Sequence, residues 1–166
     1  MPASSTVGNI YTVAIIGAGQ VGGAAARVLA ESGRWKVIAT RRHIEAIRDL
    51  EKLGVKLSTD NVGAAREADI VILSVKPNKA VSVMREIAEE VSGKLVISFV
   101  AAITLDVLKL VAPRAEIVRA MPNIALIVKE SFTAYSAPKD ISDEARELAE
   151  KVLSEFGEVV RVDESL

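Results

Sequence analysis

The chain has 166 residues, 50% of them hydrophobic, and its 21 basic side chains nearly cancel its 22 acidic ones for a net charge of −1. That length suits one domain with a full core, and the charge balance gives no electrostatic case for a nucleic-acid or anionic-membrane partner. Without cysteine there is no disulfide, thiolate metal site or cysteine nucleophile, and the single histidine, His43, argues against an imidazole cluster, so no metal site is expected.

No apolar run reaches the roughly 20 residues of a membrane helix, and "MPASSTVGNIYT" does not read as a signal peptide, so a soluble, cytoplasmic protein is expected. Residues 1–11 read as an amino-terminal extension and residues 12–166 as a single domain. The first predicted strand, Thr12–Ile16, runs into Gly17, Gly19 and Gly22 at the spacing G-x-G-x-x-G, followed by a helix rich in small residues, "GGAAARVLAESG". A strand before and a helix after are the context that makes this spacing a dinucleotide loop. Gly17 permits the turn, Gly19 lets the main chain approach a pyrophosphate, and Gly22 packs helix against sheet.

The second strand, Lys36–Thr40, ends in "ATRRH". A carboxylate here would suit the ribose hydroxyls of NAD; Thr40, Arg41 and Arg42 instead place a hydrogen-bonding group and two guanidiniums where the extra phosphate of NADP lies. The pattern predicts NADP(H) in preference to NAD(H), against the alternative that two arginines only open a solvated helix. His43 reads as an adenine-stacking or plain surface residue. A helix then follows through Ile44, Ile47, Leu50 and Leu53, with Gly54 as its stop. After a strand at Val55–Ser58, Asn61 reads as a helix cap, or as a cap that also reaches the adenosine side.

The fourth strand, Asp69–Val75, brings Ser74, Val75, Lys76 and Pro77 to the carboxyl edge of the sheet, where ligands of open α/β sheets bind. Lys76 reads equally as a ribose contact or a solvated charge, and Asn78 as the cap of a helix carrying Ala80, Val83, Met84, Ile87, Ala88 and Val91. Strands follow at Lys94–Phe99 and Ala115–Arg119, the latter running into "VRAMPNIALIVKESFTAY". On composition this loop is a turn at Pro122 and Asn123 with Arg119 as surface charge. A strand at Phe132–Ser136, a helix from Ile141 to Glu155 and a last strand at Glu158–Val162 complete the pattern. Strictly alternating strands and helices predict a doubly wound, mostly parallel α/β sheet of Rossmann type, with about eight strands in three layers.

The stretches "IIGAGQVGG", "LGVKLSTDN", "ADIVILSVKP", "VISFVAAIT" and "IVRAMPNIALIVKESFTAY" together resemble the amino-terminal domain of pyrroline-5-carboxylate reductases from Tyr11 to Glu164. The resemblance implies an NADPH-preferring reductase that adds hydride to a cyclic imine to give proline. It implies that Ile16, Gly17, Ala18, Gly19, Gln20 and Val21 hold the pyrophosphate, that Thr40 and Arg42 meet the adenosine phosphate, and that Asn61 adds an adenosine contact. Ser74, Val75, Lys76, Pro77, Phe99, Val100 and Ala101 would line the nicotinamide half, and Arg119, Met121, Pro122 and Asn123 the base of the substrate site.

Two departures bear on the substrate side: family members carry a small "CAAG" where this chain has Phe99, Val100, Ala101 and Ala102, and Thr-Pro where it has Ile124 and Ala125. The family's helical carboxy-terminal domain, with its dimer interface and substrate-carboxylate loop, has no counterpart before Leu166. A fragment of a longer protein is therefore expected, acting with that helical domain or as a homodimer, and no catalytic residue is assigned. Two other readings stand beside this one: a deazaflavin-dependent NADP reductase with the same opening loop, and a non-catalytic NADP-binding regulatory module.

Overall fold

The computed structural model describes residues 10–165. Of the amino-terminal extension, residues 1–9 lie outside the described residues. Eight strands form one sheet: β1 (Thr12–Ile16), β2 (Lys36–Thr40), β3 (Lys56–Ser58), β4 (Ile70–Leu73), β5 (Leu95–Ser98), β6 (Glu116–Met121), β7 (Ser131–Ser136) and β8 (Gly157–Arg161). Their spatial order is β3-β2-β1-β4-β5-β6-β7-β8. The order reverses between β1 and β4, which makes their carboxyl ends the switch point of the doubly wound sheet.

Helices α1 (Gln20–Ser32) and α5 (Asp143–Leu153) cover one face, and α2 (Asn61–Glu67), α3 (Pro77–Ile87) and α4 (Leu105–Val111) the other. Because both faces are covered, the central strands are apolar throughout rather than alternating. In β1, Val13 and Ile15 pack with Leu29 and Phe156 in one core, while Ala14 and Ile16 pack with Met84, Ile87 and Leu108 in the other. The predicted apolar faces of α3 and α5 are where the sequence put them: Ala80, Met84 and Ile87 are buried, as are Ala145, Leu148 and Val152. Burial of each such large side chain contributes about 1.5–3 kcal/mol.

The expectation of strict alternation fails at one connection. Every neighbouring pair of strands is parallel except β6 and β7, which are antiparallel. Only residues 122–130 join them, with a short 3-10 helix at Ile124–Val128, and a parallel crossover needs about a dozen residues or more. The predicted helix after β2 is also different: Ile44–Leu53 is a 3-10 helix, kinked at Ile47. Its apolar residues Ile44, Ile47, Leu50 and Leu53 are spaced by three, which aligns them on a helix of about three residues per turn.

Two caps differ from expectation as well. Asp60, not Asn61, caps α2, its Oδ1 accepting the Gly63 N–H at 3.0 Å, so Asn61 is the first helical residue. Asp and Asn are equally good caps, and placing the boundary one residue earlier frees the Asn61 side chain. At α3, Lys76 holds the cap position without a side-chain bond, and Pro77 starts the helix, leaving Asn78 inside it. The fixed φ of proline and its missing N–H suit that first position.

At the opposite, amino-terminal edge of the sheet, Glu155 ties distant segments together. It accepts the Trp35 indole N–H at 2.7 Å and pairs with Arg34, whose guanidinium holds the Glu155 carboxyl below its ordinary range. Tyr135 lies buried beneath α5 and donates to Glu150, and burial pushes its phenol up to about 12.

Candidate cofactor site

The loop between β1 and α1 sits on the switch point, and three short hydrogen bonds fix it. Gly17 N–H donates to Thr40 Oγ1 at 3.1 Å, Ala18 N–H to the Thr40 carbonyl at 2.7 Å, and Gly19 N–H to the Gly17 carbonyl at 2.8 Å. Gly17 has φ +84°, and a Cβ there would stand 2.5 Å from Val75 Cγ1, so both conformation and space require glycine. At Gly22 a Cβ would meet Ser74 Oγ at 2.8 Å, which is how closely α1 approaches the end of β4.

Gly19 faces open space, with nothing within 4 Å of the position its Cβ would take. The amides of Gln20, Val21 and Gly22 find no acceptor among the described residues, Gly19 caps the helix without a side chain, and the first turn of α1 carries no acid. Open glycine, unpaired amides and an uncompensated helix dipole make a cradle for a diphosphate. The residues present therefore fit a dinucleotide.

Recesses open on both sides of this loop. One, of about 330 Å³, brings together Gln20 and Val21 with Ser74, Val75 and Lys76 from the β4 exit, Phe99 from the β5 exit, and Met121 and Pro122 from the end of β6. The Phe99 ring meets Phe156 edge-on with centroids 6.3 Å apart, so its placement is set by the core. The other, of about 460 Å³, lies between α1 and the 3-10 helix after β2 and includes Arg27, Arg41, Ile47 and Ile127. Gly19 and Gln20 line both.

The two arginines after β2 are not equivalent. Arg41 folds back, its Nη1 donating to the Ala18 carbonyl at 3.2 Å, whereas Arg42 and His43 are exposed. Asn61 and Thr40 meet: the Thr40 hydroxyl donates to Asn61 Oδ1 at 2.7 Å. Arg27 and Asp49 also line the Arg41 recess and are paired with each other at 2.6 Å.

The remaining sequence-selected residues separate. Val100 is buried in the core on the α3 side, its N–H donating to Ser98 Oγ at 3.2 Å, while Ala101 is exposed and Ala102 has φ +68°. Asn123 caps the 3-10 helix Ile124–Val128 through an Oδ1 bond from Ala125 N–H at 3.0 Å. Arg119 lines a third recess of about 390 Å³, sharing Met121 with the first and bounded by Ser136 and Glu164. There Arg119 Nη1 pairs with Glu164 Oε2 at 2.8 Å, and that oxygen also accepts the Leu105 N–H at 2.8 Å. Glu164 escaped sequence reasoning because nothing local marks a residue whose partners are 45 and 59 positions away.

Among the described residues no group of acids and histidines could hold a metal ion, and no helix is long and apolar enough to cross a membrane. Residues 12–102, the span from β1 through the β5 exit, match the model of a family described as NADP oxidoreductase, coenzyme F420-dependent. The chain belongs to this family. Within this NAD(P)-binding oxidoreductase family, it is homologous to the amino-terminal domain of pyrroline-5-carboxylate reductases.

The pyrroline-5-carboxylate reductase of Methanosarcina acetivorans is 36% identical over 164 residues, covering 93% of this chain and 59% of that protein. The structure of a pyrroline-5-carboxylate reductase from Coxiella burnetii superposes with a TM-score of 0.86 at 28% identity, over 93% of this chain and 60% of the other. The Plasmodium falciparum pyrroline carboxylate reductase, solved with NADP bound, shares the fold with a TM-score of 0.83 at 23% identity, over 93% of this chain and 58% of the other. The chain thus spans about three-fifths of the length of these relatives.

Proposed function

We propose that this chain is the NADPH-binding part of a pyrroline-5-carboxylate reductase-type enzyme, which reduces the C=N bond of a cyclic imine to form proline. The observation that carries the reading is the cradle at the switch point: an open Gly19, the free amides of α1 and two flanking recesses meet at one loop. Bound NADPH would supply the hydride. The chain's own residues hold and orient it. Gly17, Ala18, Gly19, Gln20 and Val21 wrap the diphosphate, the unpaired main-chain amides of Gln20 and Val21 donating to it while the bonded amides of Gly17, Ala18 and Gly19 hold the loop in shape, with Ile16 and Gly22 fixing its ends. Arg42, free at the end of β2, pairs with the 2′-phosphate, and Arg41 adds positive charge while bracing the loop at Ala18. Ser74, Val75, Lys76, Pro77 and Phe99 form the wall that receives the nicotinamide half, and Met121 and Pro122 close its base.

Reduction of an imine also requires a proton at nitrogen. We assign that proton, the substrate carboxylate and dimerisation to a helical region such as the relatives' additional length provides, and we place the enzyme in the cytoplasm. The test is NADPH oxidation with pyrroline-5-carboxylate, by the chain alone and fused to the carboxy-terminal region of the Methanosarcina relative. The expected result is NADPH binding in both and turnover only in the fusion; failure of the fusion to turn over while binding NADPH would contradict the reductase assignment.

The match to a coenzyme F420-dependent family favours a second reading, an F420-dependent NADP reductase. That match ends at residue 102, whereas similarity to the pyrroline-5-carboxylate reductases covers 93% of the chain. Reduction of NADP⁺ by reduced coenzyme F420 in the isolated chain would establish this second reading instead.

A further inference from the structure

Thr40 stands where three elements meet, and its hydroxyl is used twice. It is 1% exposed, accepts the Gly17 N–H at 3.1 Å, and donates to Asn61 Oδ1 at 2.7 Å. A buried hydroxyl has a single proton and needs an acceptor for it. Asn61 Oδ1 is the acceptor that Thr40 finds among the described residues. The reverse orientation of the Asn61 amide would set an NH₂ against the hydroxyl and leave that proton without a partner. The orientation is therefore chemically determined, and it leaves Asn61 with its NH₂ turned away from Thr40.

Asn61 is free to serve this way because Asp60 caps α2 in its place. Its half-buried amide sits against Thr40 at the carboxyl end of β2, and the exposed Arg42 follows Thr40 by two residues. An NH₂ there can donate to phosphate or hydroxyl oxygens and cannot accept from a ribose hydroxyl.

Resting on the NADPH reading above, we propose that Thr40 is a positioning residue. It fixes the first amide of the glycine loop and at the same time presents Asn61 as a donor, so that the Thr40–Asn61 pair helps select the phosphorylated ribose over the unphosphorylated one. Diphosphate binding and ribose selection are coupled through one hydroxyl. An aspartate at position 61 would still accept from Thr40, but its second oxygen would present negative charge and acceptor character to the nucleotide. That reverses the selection.

The test uses the full chain and three variants, Thr40→Val, Thr40→Ser and Asn61→Asp, with NADPH and NADH affinities measured by fluorescence titration and amide exchange by NMR. In Asn61→Asp, NADPH affinity is expected to fall at least about tenfold with NADH affinity held or improved, so that the ratio of the two changes. In Thr40→Val the Gly17 amide should exchange at least about tenfold faster without nucleotide, both affinities should fall, and the preference for NADPH should narrow. Thr40→Ser should restore exchange protection and preference together. An unchanged Gly17 exchange rate in Thr40→Val, or equal loss of both affinities in Asn61→Asp, overturns the proposal while leaving the NADPH reading intact. A wild-type chain that binds neither nucleotide overturns both.

Discussion

The corner formed by β1, β2 and β4 and the end formed by β6, β7 and β8 handle polar groups in opposite ways. At the first, main-chain amides and short uncharged side chains do the work: Gly17, Thr40 and Asn61 satisfy one another, and the α1 amides stay open. At the second, a long charged side chain, Arg119, is sequestered by Glu164, whose carboxylate also holds the start of α4. The first corner is thus organised to receive an anion, while at the second Arg119 Nη1 is already paired within the chain and its buried Nε has no partner among the described residues.

Substitutions at the two ends of the sheet test this difference. The largest effect is expected from Gly17→Ala, which forces a side chain into a φ of +84° and against Val75. It should cost about 2–4 kcal/mol in urea denaturation and abolish nucleotide binding. Next, replacing Arg42 by alanine should weaken NADPH about 10- to 30-fold by titration and NADH by less than about threefold. Equal losses would remove the phosphate assignment.

Glu164→Gln probes the other region. It should destabilise the fold by about 1–2 kcal/mol in the same denaturation experiment, since it strips the compensating charge from a half-buried arginine. NADPH affinity should stay unchanged; a parallel loss would show that the two regions are coupled. The smallest expected effect is a gain. Ala102 has φ +68° after β5, at a position where the resemblance expects glycine, so Ala102→Gly should raise stability by about 0.5–1 kcal/mol.

Much of the first corner was legible in sequence because its determinants are local. The glycine spacing, the small residues of α1 and the arginines after β2 each sit within one strand-to-helix connection. The different environments of Arg41 and Arg42 were not legible, because the bond from Arg41 to the Ala18 carbonyl depends on how two loops approach. Nor was the link from Thr40 to Asn61, which requires the boundary of α2 to fall at Asp60. At the second region the family resemblance grouped Arg119, Met121, Pro122 and Asn123 as the base of the substrate site. Arg119 and Met121 share a face of β6 and line one recess with Glu164, whereas the strand ends at Met121, Pro122 reaches the nucleotide-side recess and Asn123 turns to capping.

The antiparallel β7 was hidden for a related reason. Its apolar content reads as a strand in either direction, and only the short connection from β6 fixes which one is built.

Calorimetric titration of the full 166-residue chain with NADPH and with NADH asks the decisive question directly. Saturable one-to-one binding of NADPH, tighter than NADH by about tenfold or more, is the predicted result. Equal affinity for the two, or no binding of either, would contradict the assignment of this loop and its flanking arginines to NADPH.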